Sequence, residues 1–326
     1  MRNRNIVVVG ASAGGVEALQ QLFSQFSPDL QASFFVVLHI PPESPSLLAE
    51  LIDKAGPLAA KIPENEESIQ PGHVYVAPPD FHLLVKSGYI RLHRGPRENR
   101  HRPAIDPLFR SAAIAYRAQT IGVVLTGFLD DGTSGLLAIK RCGGIAMVQD
   151  PVDAAYPDMP KNAIAQVDVD YQLPLRNMGS KIAEIVKQPV TSLDEAPKDI
   201  VMEANIAEQT MSNISHENKL GQLAPMSCPE CNGPLWEIDA DKVRRYRCHV
   251  GHGFTAKALM ASQDNALEQA LWAAMRTMEE RGNLARVMAE KEEQQGRSRS
   301  AQVYRERADT SKNHAQVIRK LLVDGV

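Results

Sequence analysis

Residues 6–19 read Ile-Val-Val-Val-Gly-Ala-Ser-Ala-Gly-Gly-Val-Glu-Ala-Leu, and this stretch decides the fold. The β-branched run Ile6–Val9 predicts a short buried strand. The glycines after it predict a tight turn, and Val16 to Phe26 continues as a helix with Leu19, Leu22, Phe23 and Phe26 on one face. Similar apolar runs recur at Phe34–Leu38, Val74–Ala77, Ile121–Leu125 and Ile145–Val148, with helical patterns between several of them. Near-continuous apolar strands alternating with amphipathic helices imply an α/β fold, a doubly wound and mostly parallel sheet covered on both faces. Leu83 to Leu92, broken by Lys86-Ser87-Gly88, reads instead as a hairpin. Residues 1–187 are therefore expected to form one α/β domain.

A chain of 326 residues with 44% hydrophobic and 23% charged residues is ordinary for a globular protein of two parts. Its net charge of −3 points away from a nucleic-acid or polyanion binder. The apolar run Ile6–Ala13 is too short to span a bilayer and meets glycines rather than a cleavage site, so neither membrane insertion nor a signal peptide is expected. Four cysteines in this length are no disulfide framework, which suits a cytoplasmic location. Cys142 is expected to be a small buried hydrophobe.

The turn Gly10-Ala-Ser12-Ala-Gly14-Gly15 holds serine where a dinucleotide-binding turn wants its middle glycine. An acidic ribose partner at the second strand end is also missing, since that place holds His39. Gly-x-Ser-x-Gly instead holds a serine hydroxyl up from the sheet edge at a helix amino terminus, although phosphate-binding turns also contain serine. A serine nucleophile needs a base, and the second strand ends Val36-Val-Leu38-His39. The strand Ile121–Leu125 runs into Thr126-Gly-Phe-Leu-Asp-Asp-Gly132, which brings carboxylates to the same edge. One of them would orient the imidazole; the bland alternative is an acidic cap before a helix.

In order along the chain, Val8–Leu19, Leu38-His39, Pro71–Pro78, Arg102–Phe109, Leu125–Gly132 and Gln149–Pro160 resemble the catalytic domain of the chemotaxis protein-glutamate methylesterases (CheB). The resemblance covers residues 5 to about 187. It implies hydrolysis of glutamyl methyl esters, and deamidation of certain glutamines, on methylated chemoreceptor cytoplasmic helices. It carries the serine, histidine and aspartate of that family to Ser12, His39 and Asp131, the second acid being chosen because it directly precedes Gly132. It also implies oxyanion contacts from the backbone N–H groups of Ala13 and Phe128, and no cofactor for catalysis. Departures are the alanine at position 13, where the family often has threonine, and Phe128-Leu129, where it usually reads Met-Gly. Pathway members usually carry an amino-terminal phosphoacceptor domain; here the motif begins at residue 5, so no phospho-control within this chain is expected. Arg91–Arg102 holds five arginines, two histidines and one glutamate, read either as a surface that steers acidic substrate or as a solvated loop.

Residues 188–225 carry six acidic side chains against two lysines and few large apolar groups, and are expected to be a linker. Beyond it, Cys228-Pro-Glu-Cys231 is followed after 16 residues by Cys248-His-Val-Gly-His252. Two pairs of soft ligands on tight turns fit a structural zinc site in a small zinc ribbon spanning 226–254, with Trp236-Glu-Ile and Arg245-Tyr-Arg as its strands. Adjacent residues rarely converge on one metal, so His252 is preferred to His249 as fourth ligand beside Cys228, Cys231 and Cys248. A redox Cys-x-x-Cys is the competing reading. Zinc is expected to serve this part of the chain and not hydrolysis. Residues 255–326 read as long α-helices interrupted near Gln295-Gly296, with Ala270, Trp272, Ala273, Met275 and Leu284 as a candidate seam.

From residue 226 onward 16 basic side chains face 14 acidic ones, so nucleic acid is not expected there and a regulatory protein partner is preferred. The leading expectation is a serine esterase of the methylesterase type in chemotaxis-like signalling. Its alternatives are a catalytically silent adaptor that binds glutamate-rich or methylated receptor helices, and a nucleotide-binding module.

Overall fold

The computed structural model describes residues 2–190, 195–208, 221–240 and 243–324. In chain order the first part comprises β1 (Arg2–Asn3), β2 (Ile6–Ala11), α1 (Gly15–Phe23), β3 (Ser33–Leu38), α2 (Leu48–Ala55), β4 (Ala59–Lys61) and β5 (His73–Val76). Then come β6 (His82–Lys86), β7 (Tyr89–His93), α3 (Ile105–Tyr116), β8 (Thr120–Val124), α4 (Thr133–Arg141), β9 (Ile145–Gln149), α5 (Asp158–Gln166), β10 (Tyr171–Leu173), α6 (Leu175–Val186) and β11 (Pro189–Val190). The remainder is α7 (Lys198–Ala207), β12 (Gln222–Ser227), β13 (Pro234–Ala240), β14 (Val243–Cys248), β15 (Gly253–Thr255), α8 (Ala256–Gln294) and α9 (Ser298–Asp324). By its contacts the chain divides into two compact units, Met1–Leu259 and Met260–Val326.

A seven-stranded sheet in the order β10-β9-β8-β2-β3-β5-β4 forms the centre of the first unit, and all its pairings are parallel. The two-residue period of a strand sends alternate side chains to opposite faces. Val7, Val9 and Ala11 pack with α1, α2 and α6 on one side, and Ile6 and Val8 with α3, α4 and α5 on the other. With both faces covered, β2 and β3 are buried at every position, which is why they read as unbroken apolar runs. Burial of each such large side chain contributes about 1.5–3 kcal/mol. The fold is the expected doubly wound α/β sheet, and β6 and β7 form the expected antiparallel hairpin. Cys142 is buried at the end of α4.

The 188–225 stretch departs from a linker. Residues 198–207 are helix α7, with Ile200, Ala204 and Ile206 buried. Counting acids missed that Glu203 is itself buried, with arginines supplied by distant elements. Linker residues 191–194 and 209–220 lie outside the described residues. The cysteine–histidine stretch folds as a four-stranded antiparallel sheet β12-β13-β14-β15 over a small core of Leu235, Tyr246, Phe254 and Leu259.

The second unit is a pair of helices joined at Gln295–Arg297. Among the described residues its buried side chains are mostly small: Ser262, Ala285, Ala289, Ala301, Ala308, Ser311 and Ala315, with Met275. Of the candidate seam, Met275 is buried, whereas Ala270, Trp272, Ala273 and Leu284 are exposed. Helices approach most closely along small residues, so alanines rather than the larger apolar groups line the contact. Among the described residues no helix is long and apolar enough to cross a membrane.

Candidate active site

β2 lies between β3 and β8, so the loops after these three strands leave one edge side by side, where the chain order of the sheet reverses. After β2 the chain turns through Ser12, Ala13 and Gly14 into α1. Gly14 has φ 71°, a left-handed conformation that glycine adopts without a side-chain clash, and this closes the turn. β3 delivers His39, and the loop between β8 and α4 delivers Asp130 and Asp131.

Ser12 Oγ lies 3.2 Å from His39 Nδ1, and His39 Nε2 lies 2.7 Å from Asp131 Oδ2. With the Nε2–H donated to the carboxylate, the imidazole presents its Nδ1 lone pair to the serine hydroxyl. Asp131 is buried and well supplied with donors. Oδ2 also accepts the Ile105 N–H at 2.7 Å, while Oδ1 accepts the Asn99 amide at 2.8 Å and the N–H groups of Gly132 and Asp106 at 3.0 and 3.2 Å. Burial alone would raise its carboxyl, but His39, the Ile105 N–H and the Asn99 amide outweigh it and hold the carboxyl down at about 2. Neighbouring Asp106 moves the other way: burial and the Asp131 charge push it well above the usual carboxylate range. Asp130 does not reach the imidazole; its Oδ1 accepts the Thr255 hydroxyl at 2.7 Å.

Thr126 ties the loops together. Its carbonyl accepts the Ser12 N–H at 3.0 Å, its hydroxyl donates to Ala13 O at 2.9 Å, and the Tyr156 N–H donates to that hydroxyl at 2.8 Å. The N–H groups of Ala13 and Phe128 meet no acceptor among the described residues. Gly127 permits the close approach of the two loops: a Cβ there would stand 2.7 Å from Ser12 Cβ and collide with Met159 Sδ. Exposed Phe128 packs on Tyr156 with ring centroids 4.6 Å apart.

Two neighbours of the site escaped sequence reasoning. His101 stacks on His39 at a centroid distance of 3.7 Å, and burial followed by the neighbouring His39 lowers its imidazole to about 3, so it stays neutral. Asn99 donates to both Asp131 and Asp106 at 2.8 Å. Both lie within Arg91–Arg102, where the run of arginines drew the reading toward charge. The signal available was an uncharged amide and an imidazole interleaved with those arginines. Several of the arginines have acidic partners within the chain: Arg94 and Arg102 pair with Asp80, Arg91 with Glu208 and Arg97 with Glu230.

In the small sheet, one ligand atom from each of Cys228, Cys231, Cys248 and His252 falls within 4.8 Å of the others. Sγ of Cys231 and Cys248 are 3.7 Å apart, and His252 Nδ1 is 3.8 and 3.5 Å from Sγ of Cys228 and Cys248. Zinc bonds of about 2.3 Å to sulfur and about 2.0 Å to nitrogen at tetrahedral angles require separations of about 3.5–3.8 Å, so the donors fit that metal. His249 is exposed and outside the cluster.

A doubly wound sheet whose carboxyl edge holds serine, histidine and aspartate in one hydrogen-bonded line has the layout of a serine hydrolase. The family model described as CheB methylesterase matches residues 7–182. A putative protein-glutamate methylesterase/protein-glutamine glutaminase of Leptospira interrogans is 39% identical over 184 residues, 56% of this chain and 93% of the relative. The protein-glutamate methylesterase/protein-glutamine glutaminase of Thiobacillus denitrificans is 36% identical, and that of Yersinia pestis 35%. Each match spans 56% of this chain but only 52% and 53% of the relative, about half its length. The crystal structure of the Thermotoga maritima CheB methylesterase catalytic domain superposes with a TM-score of 0.54 at 35% identity, covering 56% of this chain and 98% of that domain. The chain belongs to the CheB methylesterase family, and it is a carboxylic ester hydrolase.

Proposed function

We propose that the protein hydrolyses glutamyl methyl esters on the cytoplasmic helices of methylated chemoreceptors, and deamidates glutamines there, in chemotaxis-like signalling in the cytoplasm. The observation that carries this is the line of hydrogen bonds from Ser12 through His39 to Asp131. Ser12 Oγ attacks the ester carbonyl while its proton passes to His39 Nδ1, and Asp131 stabilises the resulting imidazolium. The N–H groups of Ala13 and Phe128 hold the oxyanion of the tetrahedral intermediate, a task their lack of an internal acceptor leaves them free to perform. Collapse breaks the bond to the methoxy group, which leaves as methanol with the proton returned from His39. Water then attacks the acyl-serine with His39 again as base, giving glutamate and free Ser12. Deamidation follows the same course with ammonia leaving. No cofactor enters these steps.

By role we divide the chain into a catalytic domain (1–187), a segment (188–225) that adds α7 to the same compact unit, a zinc-ribbon module (226–254) and a helical tail (255–326). Cys228, Cys231, Cys248 and His252 would hold a structural zinc ion, which closes the two turns of the ribbon; a regulatory protein partner would dock through the carboxyl-terminal part. The test is methanol release from methyl-esterified receptor cytoplasmic fragments by the wild type and Ser12→Ala. Release by the wild type alone is expected, and equal release by both would move the chemistry off Ser12.

A further inference from the structure

The loop 97–101 stands between the small cysteine–histidine sheet and the triad. Asn99 and Arg100 have φ 49° and 74°, two successive left-handed residues that are not glycine. Such backbone persists only where its surroundings hold it. Within the loop, Glu98 and His101 exchange backbone hydrogen bonds of 2.9 and 3.2 Å. Further support comes from the small sheet. The Asn99 N–H donates to Gly253 O at 2.8 Å, and the Gly253 N–H donates to Arg97 O at 3.3 Å.

Side chains continue the connection. Asn99 Oδ1 accepts the Thr255 N–H at 2.9 Å while its amide donates to Asp131 Oδ1 at 2.8 Å. One asparagine thus joins the end of β15 to the carboxylate that holds His39. The Thr255 hydroxyl donates to Asp130, the residue before that carboxylate. Beneath them, buried Glu98 is held by Arg110 of α3 and Arg247 of β14, and buried Glu203 of α7 by Arg110, Arg245 and Arg247. Arg247 also donates to Gly251 O at 2.7 Å, inside the turn between Cys248 and His252.

We propose that Asn99 is a positioning residue through which the cysteine–histidine module orients Asp131, so that metal held by Cys228, Cys231, Cys248 and His252 sets the rate of hydrolysis. The proposal rests on the esterase and zinc assignments made above. The ribbon is then a part of the active site, and the loss of its metal slackens the turn at Cys248–His252, Arg247 and the 97–101 loop in sequence.

The test uses the full chain with its zinc, stripped by a chelator and then refilled. Wild type and Asn99→Leu are compared by methanol release and by the proton NMR resonance of the His39 Nε2–H shared with Asp131. Stripping the wild type is expected to lower kcat 10- to 100-fold with KM within twofold, to broaden that resonance, and to be reversed by added zinc. Asn99→Leu is expected to be as slow as the stripped wild type, and stripping it is expected to cost nothing more. Multiplicative losses from stripping and Asn99→Leu would overturn the route through Asn99. If the variant fails to fold, the reversible loss and broadening in the wild type remain decisive. An active wild type whose rate and resonance ignore stripping would overturn the proposal. A wild type that releases no methanol would instead reject the esterase assignment.

Discussion

The imidazole rings of His39 and His101 lie 3.7 Å apart, centre to centre, with planes 6° from parallel. His101 is kept neutral chiefly by burial, with its imidazole lowered to about 3, and buried His82 is lowered to about 4. A buried neutral histidine takes up its proton at a lower pH in the folded chain than in the unfolded one. Its contribution to stability is therefore complete above the unfolded value of 6.5 and is lost as pH falls toward about 4 and about 3. Each group adds a slope of up to about 1.4 kcal/mol per pH unit. His101→Phe keeps a ring over His39 but removes this titration. Urea unfolding between pH 4.5 and 7 is expected to show a shallower acid loss by one proton; an unchanged slope would contradict the assignment.

Asp131→Asn replaces the acceptor of the His39 Nε2–H with a group that can present an amide donor to it. The imidazole then loses its preferred tautomer and its partner as a cation. By analogy with other triads, kcat is expected to fall about 10⁴-fold with little change in KM. Asp130→Asn, which leaves the contact to His39 intact, is expected to act far less. Equal losses in steady-state kinetics would show that the two acids had been distinguished wrongly.

Gly127 separates Ser12 from Met159, and a methyl group there meets both. Gly127→Ala is expected to push the Asp130–Asp131 loop off the nucleophile turn and reduce labelling of Ser12 by a fluorophosphonate at least tenfold. The double variant with Met159→Ala is expected to recover part of that loss, because it removes one of the two collisions. Absence of recovery would leave the Ser12 contact as the sole cause.

Arg110 spans the two buried carboxylates Glu98 and Glu203 from α3. Burial favours the protonated acids, but the arginines hold Glu98 far below the ordinary carboxylate range and Glu203 at about 2. Arg110→Met leaves buried negative charge with fewer partners and is expected to cost about 3–5 kcal/mol in urea unfolding at pH 7. The double variant with Glu203→Gln should lose less than Arg110→Met alone. If it loses more, the pairing is not the origin of the cost.

The central strands were legible because burial on both faces writes itself as uninterrupted β-branched runs, as at Ile6–Val9 and Phe34–Leu38. Ser12 and His39 were legible because each directly follows such a strand, and the acids before Gly132 because the loop after β8 opens on the same sheet edge. Asn99 and His101 were not, since their position depends on two left-handed residues and on partners more than a hundred positions away. Helix α7 was hidden for a related reason. One of the six acids that made its stretch read as a linker, Glu203, is paired with arginines contributed by α3 and β14.

By itself, the sequence determined the doubly wound sheet, the three strand ends that converge, and the pairing of Cys228–Cys231 with Cys248–His252. These features depend on local periodicity and on spacing along the chain. The family resemblance already preferred Asp131 to Asp130; only the tertiary structure supplied the contacts that separate them, Asp131 to His39 and Asp130 to Thr255, and placed the cysteine–histidine sheet in the same compact unit as the triad. A hydrogen bond between Asn99 and Thr255 joins residues 156 positions apart. No local pattern encodes such a bond, because its partners meet only when the buried charges of Glu98, Glu203, Arg110 and Arg247 are brought together by the folded chain.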